Sequence, residues 1–471
     1  MLPLVEFPEL VQHYAPFFAD VFSPEALIEF KRYISGLIVS ENKTVEGINR
    51  LFVNESRNQS SLNRLLTQSP FSLDALNQAR MNVLGSQAGT QLKRDGVLSL
   101  DDTLLIHYGQ EFEQIAQLYD HVSGSYVWAH DLVSLHYSDN QTDYPVSFEL
   151  WKPVDLEKLE EGLRAAGVKL KESKAVLKAT EPRKWRAYLL GVWKRQQKKD
   201  VELQKLYDTK LILAQNLLQA WCPAHPELHL PVTFDSWFTQ PAFCQFLAKT
   251  LHLDYVGTLS EKDKVNLKSG QTTLGEFAKK LQEEHLASLK TGAKPVFQKN
   301  TIRFKGSKET YYSYCQTHNI HTFGKQRLVI NYRQADLSDN PTFFISNRLN
   351  WQANGITRIR RHRWPVEVYY EEGKAEGLDQ YQLREFDAIK RHVAFVAVVY
   401  SLLRAAQYDQ DLQTKLQRQL KVNLDGNPAD WRRATQAQCL WSLAIFISSG
   451  LAQGQTLQEI MPPLVRAICR M

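Results

Sequence analysis

The sequence predicts an α/β protein: a mixed sheet flanked by helices, with a β-rich insertion and helical N- and C-terminal regions. Three observations lead there. Apolar residues recur at helical spacing up to about residue 92, extended apolar runs ending in acids begin near 95, and helical periodicity returns after 367. A length of 471 residues exceeds one small core and suggests two to four structural units.

Composition narrows the class. Apolar residues at 43% and charged residues at 23% are ordinary for a soluble globular chain. The net charge of +6 and pI near 8.8 hint only weakly at a polyanionic partner. The distribution says more: Lys294 to Arg363 holds thirteen Lys/Arg against Glu309, Asp336 and Asp339, a local +10. Cys222, Cys244, Cys315, Cys439 and Cys469 form no C-x-x-C pair, which argues against a disulfide framework and a structural zinc site. The start, Met1-Leu2-Pro3-Leu4-Val5-Glu6, has neither a basic nor an apolar leader segment, and no apolar run is long enough to span a bilayer. These features predict a reduced, cytoplasmic protein with no membrane partner.

Residues 1–92 form the first predicted region, a set of short helices. Phe22-Ser23-Pro24-Glu25 supplies an N-cap with proline just inside it, ahead of Leu27, Ile28, Phe30 and Tyr33. Polar breaks at Ser40-Glu41-Asn42 and Glu55-Ser56-Arg57-Asn58 divide it. Such a unit could bind DNA or be a generic helical domain.

The second predicted region spans 93–395. Gly96-Val97-Leu98-Ser99-Leu100-Asp101-Asp102-Thr103 reads as a strand delivering a carboxylate at its end; a turn is the plain alternative for paired aspartates. Gly124 to Trp128, Asp131 to Tyr137 and Tyr144 to Trp151 read as further strands, the sequential opening of an RNase H-like sheet. About 155–205 is a charged helical insertion, read as a solvated surface, with Lys194-Arg195 and Lys198-Lys199 as the residues that could touch DNA. Tyr207 to Trp221 is amphipathic and expected to pack on the sheet. Val232-Thr233-Phe234-Asp235, a helix over Phe243 to Thr250 and a strand over Leu253 to Leu259 make a β-α-β unit with Asp235 in the first loop. A helix cap is the simpler role for that aspartate. About 265–346 is β-rich, and 396–471 is the helical C-terminal region.

Between these lies Arg363-Trp364-Pro365-Val366-Glu367, ending at Lys374. Pro365 suits a first helical turn, which places Glu367 there too, with Arg363 at the mouth and Lys374 two turns on along the same face. An acid between two cations can grip phosphate beside a metal. An ordinary solvated helix is the competing reading.

The spacing R-x3-E-x6-K, followed by Gly377-Leu378-x2-Tyr381-Gln382-x-Arg384 and Ile389-x-Arg391-His392, resembles the end of the Y-x2-R-x3-E-x6-K signature of cut-and-paste DDE transposases of the insertion-sequence-four type. The chain departs once, with Arg360 where the family has tyrosine. The resemblance implies that Asp101, Asp235 and Glu367 are catalytic and hold two Mg²⁺ or Mn²⁺ ions, with Asp102 an open alternative for the first acid. It also implies DNA contacts by Arg363 and Lys374, which we extend to Arg360, Arg361, Trp364 and Arg384. The implied activity is cleavage at terminal inverted repeats, then strand transfer of the 3′-hydroxyl into target DNA by a homodimer, in a prokaryotic cytoplasm at the nucleoid. Trp351 or Trp364 could stack on a flipped base, although buried packing is the plainer role. The rival readings are a silent transposase-derived DNA-binding protein and an RNase H-like nuclease without strand transfer.

Overall fold

Strand β1 (Val97–His107) decides how the sheet is built. It runs antiparallel to β3 (Ser125–Ser138) along its full length, yet pairs in parallel with β5 (Val232–Phe234) only through Leu98, Ser99 and Leu100. The computed structural model describes residues 2–54, 57–424 and 426–468; Met1, Glu55, Ser56 and Cys469, named above, lie outside them.

On one side, β3 also pairs with β2 (Ala116–Asp120) and β4 (Asp143–Trp151), both antiparallel. On the other, β5 is parallel to β6 (Tyr255–Leu259). The order is therefore β4-β3-β1-β5-β6, three antiparallel strands and then two parallel ones. Two strand expectations need correction. Gly124–Trp128 and Asp131–Tyr137 are one 14-residue strand, because β1 offers it an unbroken partner. Asp101 and Asp102 lie in mid-strand rather than at a strand end, since β3 continues to pair after β5 has stopped.

The β-rich segment extends this same sheet. Strand β12 (Thr342–Ser346) pairs antiparallel with β6, and beyond it follow β11 (Gly324–Tyr332) and β10 (Ser307–Ile320). β10 carries β9 (Gln298–Phe304) and the short hairpin of β7 (Lys264–Leu267) and β8 (Gly270–Thr273). An 18-residue helix, Leu274–Thr291, interrupts the segment; a Thr273–Glu276 capping box starts it and Gly292 at φ 70° ends it.

The N-terminal helices share the main core. Phe395, on the buried helix Phe386–Ala406, packs its ring against Phe22, Phe30, Tyr33 and Phe71. Arg80 is fully buried and donates to the Pro145 carbonyl (2.6 Å) and Ser401 Oγ (3.0 Å), joining one N-terminal helix, β4 and that long helix. Burial of such a group is tolerated because its donors are met. The charged stretch after β4 forms helices around a separate small core of Leu159, Leu163, Trp185, Leu189, Val192 and Trp193. Among the described residues no helix is long and apolar enough to cross a membrane.

Candidate active site

Leu100 pairs with Phe234, so Asp101 within β1 and Asp235 just beyond the end of β5 follow directly on a paired position. Successive side chains of a strand face opposite ways, which separates Asp101 from Asp102. The third acid comes from the helix Trp364–Ala375, whose first turn holds Pro365 and Glu367. Arg363 stands at its mouth. Its Nη1 donates to Asp101 Oδ2 at 2.5 Å, and its Nη2 donates to Glu367 Oε1. One turn further on, the Tyr370 hydroxyl donates to the Asp101 carbonyl (2.9 Å), so the helix is tied to β1 at two points.

Asp235 does cap a turn: its Oδ1 accepts the backbone N–H groups of Trp237 (3.0 Å) and Phe238 (3.1 Å). The expected place in the loop after the strand therefore holds, but the simpler helix-cap role does not: the helix Pro241–Gln245 starts at Gln240 without a side-chain cap, and Asp235 caps the turn ahead of it.

The cluster is short of positive charge. Burial pushes the Asp101 carboxyl up to about 7; the Arg363 guanidinium opposes this, and Asp235, Asp102 and Glu367 add to it. Asp235 is raised as well, by burial first and by the Asp102 charge, against the two N–H donors and Arg363. Burial disfavours the Arg363 charge, but Asp101 and Glu367 outweigh it and hold the guanidinium more firmly protonated.

On the other face of β1, Asp102 accepts from Lys210 Nζ at 2.7 Å. The same ammonium lies 3.0 Å from Asp131 on β3 and 4.4 Å from the centroid of the Trp237 ring. Asp131 is only 2% exposed; burial and then Asp102 push its carboxyl up, against Lys210. Lys210, Asp131, Trp237 and Tyr370 were missed by sequence reasoning. Lys210 opens a helix capped by Thr209, and nothing in its periodicity marks it.

The expected DNA-contacting residues scatter. Arg360 turns inward, its Nε donating to Thr258 Oγ1 (2.7 Å), and burial pulls its guanidinium down to about 10. Arg361 pairs with Glu309 (2.9 Å) and lies over Phe304 and Trp364. Trp364 is 51% exposed, whereas Trp351 is half-buried. Lys374 ends its helix within electrostatic reach of Asp120 and Asp379. Arg384 is exposed, its carbonyl accepting from Glu113 N–H. The tail of the motif packs: Tyr381 bonds His130 (2.6 Å), His392 bonds Tyr33 (2.8 Å) and the Gly377 carbonyl (2.7 Å), and Arg391 donates to the carbonyls of Leu65 and Leu66.

As a donor set for a hard divalent cation, Asp101, Asp235 and Glu367 fit chemically: all are carboxylates, and their repulsion is only partly relieved. In the observed arrangement no three acidic, His or Cys side chains among the described residues are grouped to chelate one ion. Arg363 holds the facing oxygens of Asp101 and Glu367 itself.

Residues 16–272, more than half of the chain, match the family described as "DDE superfamily endonuclease". The span includes Asp101 and Asp235 and stops short of Glu367. No curated protein matches the chain. Among solved structures it is similar to the "Cryo-EM structure of piggyBac transposase synaptic complex with hairpin DNA", at 9% identity over 91% of this chain and 70% of that one, with a TM-score of 0.38.

Proposed function

Because this chain belongs to the DDE superfamily endonuclease family, we propose that it is an insertion-sequence DNA transposase of the type its Arg363–Lys374 motif resembles. It cuts element ends and joins the freed 3′-hydroxyl to target DNA. The observation that carries this reading is one guanidinium, Arg363, bound to both Asp101 and Glu367 beside the strand end that presents Asp235. The order β4-β3-β1-β5-β6 supports an RNase H-like core.

Asp101, Asp235 and Glu367 would hold the divalent ions, Mg²⁺ or Mn²⁺. When bound, two such ions activate the attacking oxygen and stabilise the leaving one. For its part the protein keeps Asp235 Oδ1 on two backbone N–H groups, which fixes the carboxylate and leaves Oδ2 for a ligand. Arg363 must release the oxygens of Asp101 and Glu367, and is then free to meet a DNA phosphate from the helix mouth. Lys210 keeps Asp102 on the other face of β1, which favours Asp101 as the first acid. Cutting two ends together calls for a homodimer on DNA, in the cytoplasm of a prokaryote.

The test is cleavage of a supercoiled plasmid carrying the element ends, with and without Mg²⁺, by wild type and Glu367→Gln. Metal-dependent nicking that the variant loses supports the reading, and unchanged nicking rejects the site. Recovery of joined product separates a transposase from a nuclease that only hydrolyses, and absence of any cleavage leaves a DNA-binding descendant.

A further inference from the structure

Between Lys169 and Lys198 the chain carries ten Lys/Arg and two Glu, a balance of +8. With +10 over 294–363 and +6 for the whole chain, the remaining residues sum to −12. The positive charge is thus concentrated in two blocks on an otherwise acidic protein. The second block leads into the candidate active site, and the first is a separate object.

This first block does not line the sheet as an ordinary solvated helix face. It folds around its own apolar core, with Trp185, Leu189 and Trp193 inside. Its cations are outside. Lys171, Lys174, Arg183, Lys194, Arg195 and Lys198 are exposed and pair with no carboxylate among the described residues. Lys178 pairs with Glu160 (3.1 Å) and Lys184 with Glu181. Solvated helices commonly interleave opposite charges at i,i+4, whereas residues 169–198 set only Glu172 and Glu181 against ten cations. Uncompensated cations at such density repel one another, and a polyanion relieves that repulsion while releasing its own counterions.

The unit is also aimed. Arg183 lies over the ring of Tyr126 at 5.5 Å, and Tyr126 meets Tyr119 edge-on at 5.4 Å. Both tyrosines are exposed, on the β2–β3 hairpin. Ser134, which pairs with Asp101, is eight residues further along the same strand, about 27 Å at the usual rise of a strand. Duplex DNA rises about 3.4 Å per base pair, so that span corresponds to about eight base pairs.

We propose that the helical unit over 156–206 is a clamp for the phosphate backbone of duplex DNA, gripping it about eight base pairs from the phosphate presented to the acids. This placement rests on the DNA-cutting reading above; the binding itself does not. The grip is independent of sequence, because Lys and Arg contacts to phosphate carry no base information.

The experiment uses the full chain in EDTA and a fluorescein-labelled duplex of arbitrary sequence, followed by anisotropy across a NaCl series. The comparison is with Lys174→Gln/Arg183→Gln/Lys194→Gln/Arg195→Gln. Loss of four phosphate contacts makes the slope of log K against log salt shallower by about 3.6 and weakens binding about 100-fold at moderate salt. An equal slope overturns the proposal. Independently of the variant's folding, acetylation of wild-type Lys171, Lys174 and Lys194 slows when the duplex is added; unaltered labelling overturns it too. Tighter binding to phosphatidylserine vesicles than to the duplex would assign the patch to a lipid surface and reject the clamp. A chain that binds through this patch yet never nicks plasmid sinks the endonuclease reading alone. A chain that nicks, but binds duplex equally well with the patch neutralised, sinks the clamp alone.

Discussion

Arg363 and Asp101 are 262 residues apart in sequence and 2.5 Å apart in space, and the other terminal nitrogen of the same guanidinium serves Glu367. Removing a partner from such a half-buried pair leaves uncompensated charge, at about 3–5 kcal/mol for a fully buried case and less here. Arg363→Ala should therefore lower the metal-free melting temperature at pH 8. Because the acids are then unopposed, added Mg²⁺ should raise that temperature more in the variant than in wild type. Differential scanning fluorimetry reads both; an equal Mg²⁺ shift would contradict competition between Arg363 and the ion.

Asp101 also sets a pH dependence. Its carboxyl is raised from 3.8 to about 7, so between those values the folded state binds a proton that the unfolded state has lost. Its stabilising share is complete below about pH 4 and disappears as pH rises through about 7. Relative to wild type, Asp101→Asn should gain stability across that window, by about 1–2 kcal/mol at pH 8. Urea unfolding at pH 5 and pH 8, without metal, measures the difference.

Lys210 neutralises two acids at once, Asp102 at 2.7 Å and Asp131 at 3.0 Å. Lys210→Met should cost about 2–4 kcal/mol, and Asp131→Asn in the same chain should restore part of it. In plasmid nicking, Asp102→Asn should keep activity that Asp101→Asn loses. The reverse result would exchange the two acids' roles.

Asp143 is a test of architecture away from the acids. It is fully buried and held by Lys305 at the tip of the β9–β10 hairpin, by Arg404 (3.1 Å) and by the Tyr400 hydroxyl (2.8 Å). Burial opposes its charge, but Arg404 and Lys305 prevail and keep it well below the usual carboxylate range. Asp143→Asn strands two cations, so a loss of about 3–5 kcal/mol is expected in a urea melt, whereas exposed Trp364→Ala should shift stability by less than about 1 kcal/mol.

Local rules were the legible part of this sequence. Pro365 marked the helix that carries Glu367, and Val232-Thr233-Phe234 marked the strand before Asp235, because both signals are written in adjacent residues. Partnership was not legible. Whether β1 ends at Asp101 or runs on to His107 depends on β3, and whether residues 265–346 stand apart depends on β12 meeting β6. Arg360, Arg361 and Arg391 look alike in a basic stretch, yet Thr258, Glu309 and two helix-end carbonyls claim them one by one. Charge counts cannot distinguish a cation kept for a ligand from one spent inside the fold.

The ring of Phe395 wedged among Phe22, Phe30 and Phe71 has a consequence for synthesis. A ribosome that has made the first hundred residues has made the walls of this core without its central pillar, which arrives nearly 300 residues later. Glu367 emerges only shortly before that pillar. Any product halted before Glu367 is an unclosed bundle without that acid, so under the function proposed above such truncated chains would not nick the genome of the cell that makes them.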